Sequence, residues 1–180
     1  MKIACDIDGT LSNPGHRLHF IQPKGEDCPV CEDNWAPGED HTRTGSCIYA
    51  KKDWDGFFAA CGDDPPIPQT VELVQDLMLA GHTVEFWTGR REAERDTTIE
   101  WLNEHVVTRE IYLNLFAMSL WKGLILKMRS KGDRRPDHIL KMEFIDPSSP
   151  PDIIFEDRST VVKEYRRLGL TVFQVAEGDF

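Results

Sequence analysis

The stretch Ile3-Ala4-Cys5-Asp6-Ile7-Asp8-Gly9-Thr10-Leu11 constrains the fold more than any other part of the chain. Ile3-Ala4-Cys5 reads as a buried strand, and it runs into two aspartates one residue apart. Alternate side chains of a strand share a face, so Asp6 and Asp8 start out aligned. Gly9 lets the backbone turn sharply and approach a ligand closely. Two carboxylates at a strand end are costly to bury without a metal ion or strong hydrogen bonds. In an open α/β sheet, that end is also where ligands bind. The plainer alternative is a solvated Asp-x-Asp-Gly turn.

The rest of the chain decides between the two. Residues 2–7 form the first predicted strand. Pro68 suits the first turn of a helix whose apolar positions are Val71, Val74, Leu77 and Met78, and Gly81 closes it. Thr83–Trp87 reads as a second strand, with Thr88-Gly89-Arg90 as the turn leaving it. Helices are expected from about Arg91 to Glu104 and around Ile111, Leu115 and Met118. Leu124–Met128 is a third strand, Pro136–Phe144 a helix and Asp152–Phe155 a fourth strand ending at Glu156-Asp157. A helix with Val161, Val162, Tyr165 and Leu168, then a last strand over Thr171–Val175, completes the series. Strands alternating with helices imply an α/β, doubly wound parallel sheet. Residues 12–64 interrupt it with weak periodicity and frequent Pro, Gly, Asp and Cys. The expected organisation is a core of 1–11 and 65–180 with a small cap, 12–64, inserted after the first strand.

In this topology the polar groups that follow strands meet along one edge of the sheet: Asp6 and Asp8, Thr88 and Arg90, Glu156 and Asp157. "DIDGTL" and the later "WTGR" resemble motifs I and II of the haloacid dehalogenase (HAD) superfamily, most of whose members are phosphatases. The chemistry is coherent with that resemblance. Phosphoryl transfer needs an in-line nucleophile, positioned donors and charge neutralisation. Asp6 is the natural nucleophile, able to form an aspartyl-phosphate, and Asp8 the group that protonates the leaving oxygen and then activates water. Asp6, the Asp8 carbonyl and Asp157 make a hard oxygen site suited to Mg²⁺, with Glu156 beside it. Thr88 and nearby amides would hold a phosphoryl oxygen. Lys141 and Lys131 are the two candidates for the lysine that offsets its charge.

"GDRRPDHILK" and "FEDR" resemble motifs III and IV. With the closing "VVKEYRRLGLTVFQVAEGDF", they are most similar to the phosphatase half of phage-type polynucleotide kinase/phosphatase, a family that removes 3′-phosphates from nucleic-acid ends. The resemblance implies a HAD-like Rossmannoid core, Mg²⁺ as cofactor, and a phosphorylated nucleotide or nucleic-acid 3′-end as substrate. It implies catalytic roles for Asp6, Asp8, Thr88 and Lys141. It also implies phosphate-binding roles for Gly9, Thr10, Arg17, Gly89, Arg90 and Asp137, and a metal role for Asp157. Glu156 stands where that family has an aspartate. No Gly-Lys-Ser/Thr phosphate loop occurs, so no kinase half is expected here. On the predicted helix, Asp137 and Lys141 share a face and could pair.

The insert adds a separate possibility. Cys28, Cys31, His41 and Cys47 are candidate ligands for a structural zinc ion that would staple a segment with little core of its own. The alternative is two cysteines in a proline turn with no metal. Trp35 and Trp54 are candidates for stacking on a base or for simple packing. His16 and His19 lie just past the first motif and receive no role.

A net charge of −10 argues against an extended footprint on duplex nucleic acid. A local basic mouth is still expected from Arg17, Lys127, Arg129, Lys131, Arg134 and Arg135. No apolar run has the length of a membrane span and no signal peptide is evident, so the expected location is the cytoplasm. Five cysteines, with Cys5 in the motif strand, do not suggest a disulfide framework. Two other functions fit less of the pattern: a HAD phosphatase of an unrelated small metabolite, and a non-catalytic binding module.

Overall fold

A computed structural model describes residues 1–21 and 52–178. The zinc candidates Cys28, Cys31, His41 and Cys47, together with Trp35, lie outside the described residues. Five strands form one sheet: β1 (Lys2–Asp6), β2 (Thr83–Arg91), β3 (Ile125–Arg129), β4 (Ile153–Arg158) and β5 (Val172–Gly178). Their spatial order is β3-β2-β1-β4-β5, and all pairings are parallel. The expected doubly wound α/β sheet is thus the observed one.

Alternation along β1 explains why both faces of the sheet are covered. Ile3 and Cys5 pack on one side with Val71, Val74, Phe86, Trp101, Leu102, Ile111 and Leu115. Ala4 packs on the other with Trp87, Ile154, Val161 and Tyr165, and with Met142 and Phe144 beside them. A strand buried on both faces reads as a nearly continuous apolar run, as this one does. The helices supplying the first face are α2 (Pro68–Leu79), α3 (Arg95–His105) and α4 (Arg109–Ala117), which follow α1 (Trp54–Ala59) in the chain. The second face is supplied by α5 (Asp137–Leu140), which tightens into a 3₁₀ turn over Lys141–Phe144, and by α6 (Ser159–Arg167). α2 has Pro68 in its first turn and Gly81, at φ +86°, just past its end. That positive φ is one only glycine adopts without strain.

Two local expectations are corrected. Thr88-Gly89-Arg90 is not a turn: β2 continues through it to Arg91, with an irregular register against β3 between Trp87 and Arg91. Such an irregularity re-aims side chains without ending the strand. The helix expected over Pro136–Phe144 is a single α-turn followed by 3₁₀ geometry.

Backbone hydrogen bonds tie together the described parts of residues 12–64, the stretch expected to be an insert, and the segments that flank it. The Asn13 amide donates to Pro65 O, the Ile67 amide to Leu11 O, and the Asp53 amide to Phe20 O. α1 is capped at its start by Asp53, whose side chain accepts from the Gly56 amide. Among the described residues, no helix is long and apolar enough to cross a membrane.

Candidate active site

Asp6 has the same strand parity as Ala4, so it emerges on the face covered by the Asp137–Phe144 segment. That segment delivers Lys141. Its ammonium lies 2.6 Å from Asp6 Oδ1 and 2.7 Å from Glu156 Oε2, and all three groups are buried. β4 runs beside β1 and brings Glu156 and Asp157 to the same edge. One oxygen each from Asp6, Glu156 and Asp157 lies within 4.8 Å of the others, the spacing of a shared cation site. Burial and the neighbouring Glu156 carboxylate push Asp6 well above the usual carboxylate range, against the pull of Lys141. The same two causes push Asp157 up to about 7. Burial opposes the charge on Lys141, but Asp6 and Glu156 outweigh it and hold the ammonium protonated well above its ordinary range.

The Asp157 carboxylate is wedged between two glycines. A Cβ on Gly9, itself at φ +88°, would lie 2.2 Å from Asp157 Oδ2, and one on Gly178 would lie 1.9 Å from it. Gly9 therefore serves backbone geometry and close approach together. Gly178 is a site residue that the sequence reading passed over. Its only signal was its position in the closing run.

Asp8 lines the same cleft as Asp6 but is held by a separate set of donors. Its Oδ1 accepts from Arg17 Nη2 at 2.6 Å and from Arg90 Nε and Nη2 at 2.9 and 2.7 Å. Thr88 Oγ1 stands 3.4 Å from Oδ2. Burial raises the carboxyl, but Arg90 and Arg17 overcome it and hold Asp8 far below the usual carboxylate range. Thr88 also accepts the Arg90 amide, so the irregular segment of β2 is tied to the acid it supports. The Thr10 hydroxyl is buried and has no hydrogen-bond partner among the described residues.

The site opens into a cleft of about 1320 Å³ among the described residues. Asp6, Asp8 and Lys141 lie at one side, α1 with Trp54 and Phe58 at another, and the loop between β3 and α5 at a third. Trp54 is half-exposed at this rim and stacks on Phe58, with ring centroids 6.0 Å apart.

The structure separates several residues that the sequence reading grouped. Asp137 does not pair with Lys141. It pairs with Arg129 and Arg158 and lies against Gly89, where a Cβ would meet its carboxylate at 2.7 Å. An i,i+4 pair needs a continuing α-helix, and the α-turn has tightened by Lys141, whose ammonium is drawn to two buried carboxylates instead. The basic mouth is also smaller than expected. Arg17 is fully buried on Asp8 and Asp64. Lys127 is committed to Glu85 and Phe144 O under the sheet. Arg129 binds Gly89 O and Asp137, and Arg135 binds Asp133 and Glu143. Lys131 and Arg134 line the cleft with no ion pair among the described residues. His16, which was given no role, bonds Asp64 at 2.9 Å, and His19 bonds His16 O.

A five-stranded parallel α/β sheet that carries Asp6, Asp8, Glu156 and Asp157 along one edge, with a buried lysine between them, is a fold of the HAD-like class. The profile of the polynucleotide kinase PNKP phosphatase domain matches residues 50–180, and the chain belongs to that family. The fold is shared with chains in two solved structures, titled "Structure of Pnkp1/Rnl/Hen1 complex" and "Structure of the Pnkp1/Rnl/Hen1 RNA repair complex". TM-scores are 0.61 and 0.60, both at 23% identity over 99% of this chain. The match covers 47% and 43% of those chains, so this chain spans somewhat under half their length. A class C acid phosphatase from Bacillus anthracis, solved with tungstate bound, matches with TM-score 0.50 at 11% identity, over 98% of this chain and 67% of its own.

Proposed function

We propose that this protein is an Mg²⁺-dependent phosphatase that hydrolyses the 3′-phosphate of a nucleic-acid end or nucleotide through an aspartyl-phosphate on Asp6. The observation that carries the reading is the convergence of Asp6, Asp8, Lys141, Glu156 and Asp157 at one sheet edge, in a chain of the PNKP phosphatase family. An Asp6 oxygen attacks phosphorus as the bond to the leaving oxygen breaks; Asp8, ionised beside its two arginines in the free site, takes a proton from the bound phosphate monoanion or solvent and passes it to that oxygen. Asp8 then takes a proton from water, whose oxygen attacks the phosphorus of the acyl phosphate and returns Asp6 as a carboxylate. The Thr10 and Thr88 hydroxyls and the Gly89 amide offer donors to the phosphoryl oxygens, Gly9, whose own amide bonds Ser12 O, leaves room for them, and Lys141 offsets their charge.

Asp6, Glu156 and Asp157 supply hard oxygen donors at cation spacing, and glycines at 9 and 178 leave room for the Asp157 carboxylate, so the donor set fits Mg²⁺. When bound, the ion supplies charge neutralisation for the phosphoryl group. Below about pH 7 the Asp157 carboxyl carries a proton that the cation must displace. Mg²⁺ affinity is therefore expected to fall as pH drops through that value, with a proton released on binding. Calorimetric titrations at about pH 6 and about pH 8 in buffers of different ionisation heat measure both, and equal affinity at the two pH values would contradict the expectation.

The substrate reading is tested by Mg²⁺-dependent phosphate release from a 3′-phosphorylated oligonucleotide, a 3′-mononucleotide and a sugar phosphate. Among the described residues Lys52, Lys131 and Arg134 line the cleft without an ion pair, so the oligonucleotide should lose kcat/KM with salt at a log–log slope of only about 2. A sugar phosphate used as well as either nucleotide would overturn the nucleotide reading, and a slope several times steeper would mean a longer nucleic-acid footprint.

A further inference from the structure

Asp64 closes the insert, is buried, and is absent from every motif described above. Its Oδ1 accepts from Arg17 Nε at 2.7 Å. Its Oδ2 accepts from Arg17 Nη2 at 2.6 Å, Arg90 Nη2 at 2.9 Å and Ser12 Oγ at 3.0 Å. These are the donors that also hold Asp8 Oδ1: Arg17 Nη2, Arg90 Nη2 and, at 3.3 Å, Ser12 Oγ. Asp8 and Asp64 thus share two buried guanidiniums and one hydroxyl, in a group whose formal charges cancel. Arg17 is clamped from the side of the insert, where its guanidinium also stacks on Phe57 at 4.2 Å and donates to Phe57 O. The Asp64 carbonyl is fixed separately by Trp101 Nε1 at 2.7 Å.

We propose that Asp64 is a positioning residue for Asp8, and that the insert contributes it to complete the proton-transfer apparatus of the core. This rests on the reading of Asp8 as acid and base. The arrangement has a directional effect. Asp8 Oδ1 is saturated by donors that Asp64 holds in place, while among the described residues Oδ2 has only Thr88 Oγ1 and a longer contact to Arg90 Nε at 3.2 Å. Oδ2 is therefore the oxygen left to exchange a proton with the leaving group. Without the Asp64 carboxylate, two adjacent guanidiniums share one counterion. They repel, reorganise around Asp8, and the orientation of its carboxyl is lost.

Proton donation matters when the leaving oxygen is a poor one and little when it is already stable as an anion. That difference separates positioning from a merely structural role. Asp64→Asn is compared with wild type on a nucleoside 3′-phosphate and on p-nitrophenyl phosphate, with melting curves for both proteins. The expected result is a kcat/KM loss of about 100-fold on the nucleotide and under about 5-fold on the aryl phosphate, because kcat/KM reports the step in which the leaving oxygen departs and not the later attack of water that both substrates share. If the asparagine variant does not fold, the same ratio is read on Asp64→Glu, which keeps the charge and displaces the carboxylate. Equal losses of kcat/KM on both substrates, or none on either, in an otherwise active enzyme would overturn the inference alone. A wild-type chain inactive on both would remove the reading of Asp8 along with it.

Discussion

Asp6→Asn should abolish turnover while leaving the fold intact. The amide can neither attack phosphorus nor hold a cation well, and every residual route lacks the covalent step. The variant should also be no less stable than wild type. Asp6 is a buried carboxyl held far above its ordinary range by burial and by Glu156, so its charge is sustained against a desolvation cost. A neutral isostere still accepts a hydrogen bond from Lys141. Phosphate release and a melting curve on one preparation check both halves. Near-normal turnover by a clean, folded Asp6→Asn protein would remove the aspartyl-phosphate mechanism.

Lys141→Ala should be costly in two separable ways. Activity should drop by about 10²–10³-fold or more, the effect of deleting a preorganised charge at the phosphoryl group. Stability of the metal-free protein should fall by about 3–5 kcal/mol, because a buried ammonium is removed from between two buried carboxylates and leaves them uncompensated. A cation can replace the lost charge. Mg²⁺ should therefore raise the melting temperature of Lys141→Ala far more than that of wild type, and chelation should reverse the gain. Lys131→Ala, at an exposed position in the cleft loop, should change neither stability nor its response to Mg²⁺. The opposite ranking of the two lysines would transfer the charge-neutralising role to Lys131.

Much of the architecture was legible because it is periodic. Each strand of the sheet is announced by a short apolar run, and punctuation such as Pro68 and Gly81 marks where a helix starts and stops. The acidic pairs were legible for a related reason: carboxylates at strand ends are expensive unless something uses them. Asp64 carried no such mark. A single aspartate before Pro65-Pro66 reads as a turn residue, and its burial is decided by Arg17 and Arg90, which reach it from distant parts of the chain. Arginines posed the same problem in reverse. A run of cations from Lys127 to Arg135 looks like a mouth in sequence, yet most of its charge is consumed by Glu85, Asp133, Asp137 and Glu143. Asp137 and Lys141 were misjudged as a pair because helical spacing ignores competition. Two buried carboxylates outbid one partly exposed neighbour for the ammonium.

The central place of β1 in the sheet bears on the protein's birth. Ile3 pairs with Ile153 and Lys2 with Thr83, so the strand bearing Asp6 leaves the ribosome long before either neighbour exists. Contacts this distant along the chain make folding slow relative to local ones. The cation pocket cannot assemble until Glu156 and Asp157 have emerged, nor can Asp157 take its seat until Gly178 has followed. A nascent chain therefore carries Asp6 without its partners until the segment through Gly178 has been made.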